Sequence, residues 1–417
     1  MIQSASFGHF DRLFLLRIAD WAAVAVAVAL PWSTSAVGIA IAVWLVLLLP
    51  TLGTASLKRE LATPAGGLPA VLWCLGVIGM LWADVSWHDR FAGLDSFHRL
   101  LAIPLLLAQF RQSEIGIWVI LGFFISSITV LLSSYTMVLV GHCGGPVCGV
   151  PVHDTIFQGS LFLICGFGAL GYAALASGKR AGSQIAILVI GVLFLVNFAF
   201  AAPSRIALAV APLLLLLLGW RLIRWKGILL AVLLAVMVGS AMWFASPVLR
   251  YRVAQTVVET QEYLKTNKAT SIGEHTAFLK ESLGIIASAP IIGHGTGSIT
   301  EEFRRITAGK TGVSATPTVN PHNQTFAVAI QLGLVGAIAL WAMWIAHLAL
   351  FTEQSTVAWL GLVAVVENIL SSTVHSHLFD FNSGWLYVFA TGVLGGTILN
   401  ERAKALKEVE SASNEWR

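Results

Sequence analysis

The stretch Asn320-Pro321-His322-Asn323-Gln324-Thr325 marks where the one long hydrophilic segment of this chain gives way again to apolar sequence. Nearly everything outside residues 246–323 is made of apolar runs. Of 417 residues, 57% are hydrophobic and 11% charged, and the mean hydropathy is +0.81. An ordinary soluble domain carries about a quarter charged residues. The composition therefore defines an all-α, polytopic helical membrane protein and excludes a large soluble core. A histidine flanked by amides at such a boundary is the first place to look for chemistry.

A helical span needs about 20 mostly apolar residues. Runs of that kind predict about twelve spans, near 18–32, 36–50, 67–83, 97–110, 115–140, 158–177, 184–202, 204–220, 227–245, 324–350, 355–373 and 383–400. No cleavable signal is expected, because Met1 to Asp20 carries charges and the apolar run that follows reads as a first span. The fifteen tryptophans suit interfacial belts.

Orientation follows from the basic residues of the short connections. With the N-terminus inside, the inner segments hold fourteen: Arg12, Arg17, Lys58, Arg59, Arg111, Lys179, Arg180, Arg221, Arg224, Lys226, Arg402, Lys404, Lys407 and Arg417. The short outer connections hold three, Arg90, Arg99 and Arg205. Both termini are therefore expected in the cytoplasm. The chain divides into a bundle of nine spans (1–245), an outer cap (246–323), three further spans (324–400) and a cytoplasmic tail (401–417). In a bacterium with two membranes the outer face is the periplasm. There Cys143 and Cys148, which frame Cys-Gly-Gly-Pro-Val-Cys, suit a loop-closing disulfide, whereas Cys74 and Cys165 lie in apolar runs and read as packing residues.

Within the cap, Val248–Lys265 and Glu274–Ala287 show apolar residues recurring at three and four, which predicts helices. A glycine-rich turn follows, Pro290-Ile291-Ile292-Gly293-His294-Gly295-Thr296-Gly297, and then a short helix with Phe303, Arg304 and Arg305. No solenoid-type repeat is present.

Arg205 is the most informative charge. It follows Ala-Ala-Pro-Ser and opens an apolar run, so it occupies the first turn of a span at outer headgroup depth. It reads either as a snorkelling arginine or as a functional one. At the positive end of a helix dipole, a guanidinium suits bidentate grip of a lipid-linked phosphate. His322 reads either as a hydrogen-bonded histidine at a loop-to-helix junction, with Asn320 or Asn323 capping, or as a general base. Its position on the same outer face as Arg205 favours the base.

Arg250, Arg252, Arg304 and Arg305 are further candidates for phosphate or acceptor contacts, set against pairing with Glu259, Glu262, Glu301 and Glu302. Arg99 is a weaker counterpart of Arg205, and Lys265 and Lys268 read as an exposed face. His375-Ser376-His377 with Asp380 has the look of a metal pair, but nothing fixes further ligands, and His142 and His153 are distant in sequence. A polar loop lining the site's mouth is the preferred reading. Glu367-Asn368 should face the bundle interior.

These residues carry a resemblance. Many spans, Pro-Ser-Arg205-Ile-Ala-Leu at the outer end of a mid-chain helix, the loop with Pro290-Ile-Ile-Gly293-His-Gly295-Thr-Gly297, and Pro321-His322-Asn323 before a span together resemble the O-antigen ligase superfamily. That superfamily includes O-antigen polymerases and protein O-oligosaccharyltransferases. One departure stands out: family members often carry an arginine early in the helix before the Pro-Gly stretch, where this chain reads Ser271-Ile-Gly273-Glu274-His275.

The resemblance implies a fold like that of GT-C glycosyltransferases and glycosyl transfer on the outer face of the bacterial inner membrane. It implies a glycan on undecaprenyl pyrophosphate as donor and a sugar hydroxyl of lipid A–core as acceptor, with no nucleic acid as partner. His322 would accept the hydroxyl proton, and Arg205 with Arg250, Arg252 or Arg304 would stabilise the departing pyrophosphate. His294 and Asn323 would belong to the active-site loop. No cofactor and no metal are expected, since no carboxylate cluster suits Mg²⁺. The ligase is preferred to the polymerase and the oligosaccharyltransferase because the outer loop is compact and no added C-terminal periplasmic domain appears. A secondary transporter would also suit twelve spans, but its buried charges would sit at the midplane rather than on the outer face.

Overall fold

The structure is a computed structural model that describes residues 9–141, 148–176, 181–201, 204–266 and 270–415. Its described residues fold into helices α1 (His9–Ala29), α2 (Thr34–Leu48), α3 (Thr54–Leu61), α4 (Pro64–Gly79), α5 (Trp87–His98) and α6 (Ala102–Phe110). There follow α7 (Gly116–Leu139), α8 (Thr155–Leu175), α9 (Ala181–Phe200), α10 (Arg205–Ala245) and α11 (Pro247–Thr266). The chain closes with α12 (Ser271–Ser288), α13 (Ile299–Thr307), α14 (Gln324–Leu350), α15 (Thr356–Ser371) and α16 (Phe381–Glu415). This is an all-helical, multi-pass membrane protein.

Each apolar run singled out above overlaps a helix among the described residues, though several run past the helix end into a turn. By continuous length and apolarity, seven helices among the described residues can cross a membrane, or eight if α3 and α4, bent by 86° at their junction, count as one. Part of the gap to twelve comes from α10, whose 41 residues cannot be one rod. Ile223 (φ −139°, ψ 28°) and Arg224 (φ 57°, ψ −137°) are not helical. A Cβ on Gly219 would meet the backbone of Gly227 and lie 3.2 Å from Ala231. In a continuous helix, residues twelve apart are separated by about 18 Å. The chain therefore reverses at Arg224, and the two halves pack antiparallel.

Two apolar cores hold the bundle. One gathers Trp44, Phe97, Phe110, Trp344 and Phe389 from α2, α5, α6, α14 and α16. The other gathers Phe157, Phe162, Phe194, Leu214 and Trp359 from α8, α9, α10 and α15. The outside is apolar as well: Leu233, Met237 and Phe244 of α10 are 68%, 63% and 80% exposed. Exposed apolar surface on this scale belongs against lipid.

The cap is small. Helices α11 and α12 span the two segments expected to be helical, and α13 carries Phe303. Phe278, Ile285 and Phe303 pack with Ile330 of α14 as one buried cluster. The glycine-rich turn does more than join α12 to α13. Helix α14 breaks at Gly333 (φ 61°, ψ −157°), and the turn enters the break. His294 N donates to Ile330 O at 2.9 Å and Gly295 N to Gln331 O at 2.8 Å; in return Leu334 N donates to Pro290 O at 2.8 Å and Val335 N to Ile291 O at 3.2 Å. Broken helix is tolerated at membrane depth only where protein takes up the freed backbone groups, and here the turn does so. Gly293 (φ 67°) and Gly333 are required by contact as well as by φ, since a Cβ on either would enter the backbone of the other strand of this pairing. Much of the glycine motif is thus explained by how the cap is anchored.

Candidate active site

Asn320-Pro321-His322-Asn323 builds its own geometry. Asn320 Oδ1 accepts from His322 N at 2.9 Å and from Ser376 Oγ at 2.7 Å. An asparagine accepting from the amide two residues on closes an Asx turn, and the proline between them pre-sets φ. The turn holds His322 at φ 54°, a region few non-glycine residues occupy. Asn323 then caps α14, its Oδ1 accepting from Phe326 N at 3.0 Å, while its Nδ2 donates to Thr373 O at 2.9 Å. Asn320 and Asn323 therefore divide the two structural tasks, and the His322 ring is left over.

That ring lies in a row of imidazoles. Ring centroids separate His322 from His275 of α12 by 4.4 Å, His322 from His375 by 5.3 Å, and His375 from His377 by 5.2 Å. Phe278 stacks on His322 at 5.9 Å and 17°. The Nδ1 atoms of His322 and His375, and both ring nitrogens of His377, are buried without hydrogen-bond partners. Burial, and then the neighbouring His275 and His375, push His322 down from 6.5 to about 4. Burial and His375 push His377 to about 3. His275 is lowered by burial, by His375 and by Arg205. All of these rings are neutral at pH 7, which avoids four adjacent buried cations.

Arg205 opens α10, where a cation faces the unfavourable end of the helix dipole. Glu259 of α11 offsets this with a two-pronged pair, Nη1 to Oε2 and Nη2 to Oε1, both at 3.2 Å. The carbonyl of Glu259 also accepts from Thr270 Oγ1 at 3.2 Å, and Thr270 caps α12. Arg205 is thereby tied to the α11–α12 corner, and α12 brings His275 against His322. Glu259, set beside the cap arginines on sequence grounds, pairs with Arg205 because α11 folds back over the start of α10.

The other candidates are engaged elsewhere. Arg250 Nη1 donates to Trp243 O at 2.7 Å and Phe244 O at 2.8 Å, closing the C-terminus of α10. Arg304 pairs with Glu301 at 2.7 Å on the outer face of α13, and Arg305 bridges Glu301, Glu302 and Asp84. His294 is held by Ser288 Oγ and Ile285 O at 3.0 Å each, with Glu302 3.5 Å away. The Arg252 side chain, Cys143, His142 and Lys268 lie outside the described residues. Cys148 is disulfide-bonded. Arg99 is buried and donates to the carbonyls of Asp380 and Phe381, so it braces the His375–Phe381 loop. Among the described residues, no group of three or more His, Cys, Asp or Glu is arranged to hold a metal ion.

Beside this row opens a cavity of about 590 Å³, bordered by α5, the start of α13, Asn320-Pro321 and the His375–Phe381 loop. His375 lines it, in keeping with a loop at the site's mouth. Three residues were not identified as site residues from sequence: His275, His375 as a neighbour of His322, and Glu259. For His275 the signal was present, because it lies where the family resemblance expects an arginine.

Fold and site together define a multi-pass helical membrane protein with a polar site at the junction of cap and bundle. Within that class, residues 190–340 match the family model described as O-antigen ligase. The matched region contains both Arg205 and His322. No curated protein matches the chain.

Proposed function

We propose that the protein is an O-antigen ligase: a glycosyltransferase moving a glycan from undecaprenyl pyrophosphate to a sugar hydroxyl of lipid A–core. The observation that carries this reading is the convergence on His322 of α12 and the His375 loop, with α12 tied through Glu259 to Arg205. The acceptor hydroxyl oxygen attacks the anomeric carbon, the bond from that carbon to the pyrophosphate oxygen breaks, and undecaprenyl pyrophosphate leaves. His322 takes the hydroxyl proton. Its neutral imidazole has a free lone pair, and an arriving pyrophosphate dianion raises its basicity. Arg205 meets the charge growing on the leaving group. Arg250 or Arg304 would reach the pyrophosphate only by leaving its present partners, the carbonyls closing α10 and Glu301 respectively. His275 is better placed to be the second contact, gaining a proton as the dianion binds.

In this reading the chain has about twelve spans in a GT-C-like arrangement, divided at 245, 323 and 400, in the bacterial inner membrane. Both termini lie in the cytoplasm and the site faces the periplasm. His294 and Asn323 shape the loop rather than the chemistry. No metal takes part. An O-antigen polymerase or a protein O-oligosaccharyltransferase would use the same donor half of the site.

The test is transfer by purified protein from an undecaprenyl-pyrophosphate glycan, comparing lipid A–core, a second lipid-linked glycan and a protein as acceptors, with and without EDTA. Lipid A–core is expected to be glycosylated, unaffected by EDTA. Arg205→Lys is expected to lower kcat/KM by about 10–100-fold, since an ammonium cannot reproduce the fork. Full activity of that variant excludes the bidentate role.

A further inference from the structure

The cavity of about 590 Å³ has a size typical of small-molecule sites and an unusual charge complement. Asp89 of α5, Glu301 of α13 and Asp380 of the His375 loop all line it, and among the described residues no lysine or arginine does. Asp89 accepts from Ser86 Oγ at 2.6 Å, and Asp380 Oδ1 accepts from Ser383 N at 2.9 Å. The second Asp89 oxygen lies 3.6 Å from His88 Nδ1, and Arg99, which donates to the Asp380 carbonyl, lies near the Asp380 carboxylate. Glu301 is balanced by Arg304, which donates to both its oxygens, and by Arg305 on the same face of α13, so Asp89 and Asp380 carry the cavity's negative charge. Phe379 and Phe381 supply apolar faces on the same wall. Carboxylates that accept from hydroxyls, with aromatic rings that cover C–H faces, are the chemistry of a pyranose site.

Position matters as much as lining. His375 borders the cavity on one side and has its ring 5.3 Å from His322 on the other. Arg205 acts on His275, the α12 neighbour of His322, and is tied to α12 through Glu259 and Thr270. The imidazole row therefore lies between the Arg205–Glu259 pair and the cavity that Asp89 and Asp380 line. A phosphate can be gripped by Arg205 once Glu259 is displaced, and it is repelled from the cavity, because it brings about −1.5 to −2 charges toward Asp89 and Asp380.

Resting on the glycosyl-transfer reading, we propose that this cavity is the acceptor-sugar subsite and that its carboxylates select an uncharged or amine-bearing pyranose over a phosphorylated one. The donor pyrophosphate is excluded from it by the same charges, which keeps the two substrates in register across His322.

The experiment measures binding of three soluble probes to the purified full-length protein in lipid nanodiscs by ligand-detected NMR: methyl glucopyranoside, methyl glucosaminide and glucose 6-phosphate. The first two are expected to bind at least about tenfold more tightly than the phosphate ester. Asp89→Asn combined with Asp380→Asn should shrink that gap to about twofold, and Ala92→Trp, which places an indole at the cavity wall, should abolish binding of all three. Equal or tighter binding of glucose 6-phosphate, no saturable binding of any probe, or unchanged binding by Ala92→Trp overturns the proposal. His322→Ala separates the two readings. Sugar binding that survives while glycan transfer is lost supports both. Transfer unaffected by His322→Ala faults the enzyme mechanism alone, and transfer unaffected by Ala92→Trp faults the subsite alone.

Discussion

Arg205 meets Glu259 through both terminal nitrogens at 3.2 Å, so the cation best placed for a pyrophosphate is already neutralised. The pair is partly exposed, at 33% and 14% of the two side chains, and so contributes only about 1 kcal/mol or less. The donor has to displace it. Glu259→Gln is expected to lower the KM for the lipid-linked donor by up to about fivefold with little change in kcat. A raised KM in initial-rate measurements would show that Glu259 helps to hold the donor rather than to compete with it.

His322 and His275 should respond differently to substitution. His322→Ala is expected to cost about 10²–10⁴ in kcat, the usual range for loss of a general base. His275→Ala should weaken donor binding, and His275→Arg should restore it while moving activity to higher pH, because the contact then no longer needs to gain a proton. Equal losses in His275→Ala and His275→Arg would make the residue a packing partner of His322 and nothing more.

The row of imidazoles makes stability depend on pH with a definite sign. His322 and His377 titrate near 4 and 3 in the folded protein against an ordinary 6.5, burial being the main cause. Below pH 6.5 the unfolded chain takes up protons that the folded one refuses, so stability is full above 6.5 and falls as pH drops toward 4. Thermal midpoints of the detergent-solubilised protein should fall across that window. His377→Leu, which removes a buried ring with neither nitrogen partnered, should flatten the slope; an unchanged slope would assign the effect to other groups.

Gly333→Ala tests how the cap is anchored. The residue sits at φ 61°, and a Cβ there would run into the Ile291 backbone that repairs the break in α14. A loss of about 1–3 kcal/mol or more is expected, read as a lower thermal midpoint together with reduced transfer, since the same pairing sets where α13 and the cavity lie. A neutral effect would mean that the turn is not inserted in the membrane-embedded protein.

Much of the fold was legible because lipid imposes one-dimensional rules: apolar runs of about 20 residues announce helices wherever they occur. The hairpin at Arg224 was visible as a basic interruption between two runs, and the cap helices as three-and-four periodicity. Length and apolarity alone would merge the two halves of α10, and only the contact of Gly219 with Gly227 separates them. The glycine motif showed that backbone would bend sharply, but not that it would enter a broken helix some 40 residues further on.

The sequence by itself determined the membrane class, the helical runs, the Asn-Pro-His-Asn junction with its local hydrogen bonds, and Arg205 at a helix start. Each rests on spacing along the chain or on contacts within a few residues. Tertiary structure alone decided which groups surround His322. His275 and His375 lie 47 and 53 positions from it in sequence, Glu259 lies 54 from Arg205, and the acidic cavity draws on α5, α13 and the loop before α16. The physical reason is that a side chain's protonation and partners depend on three-dimensional burial and charge, and these are assembled only when the cap closes on the bundle.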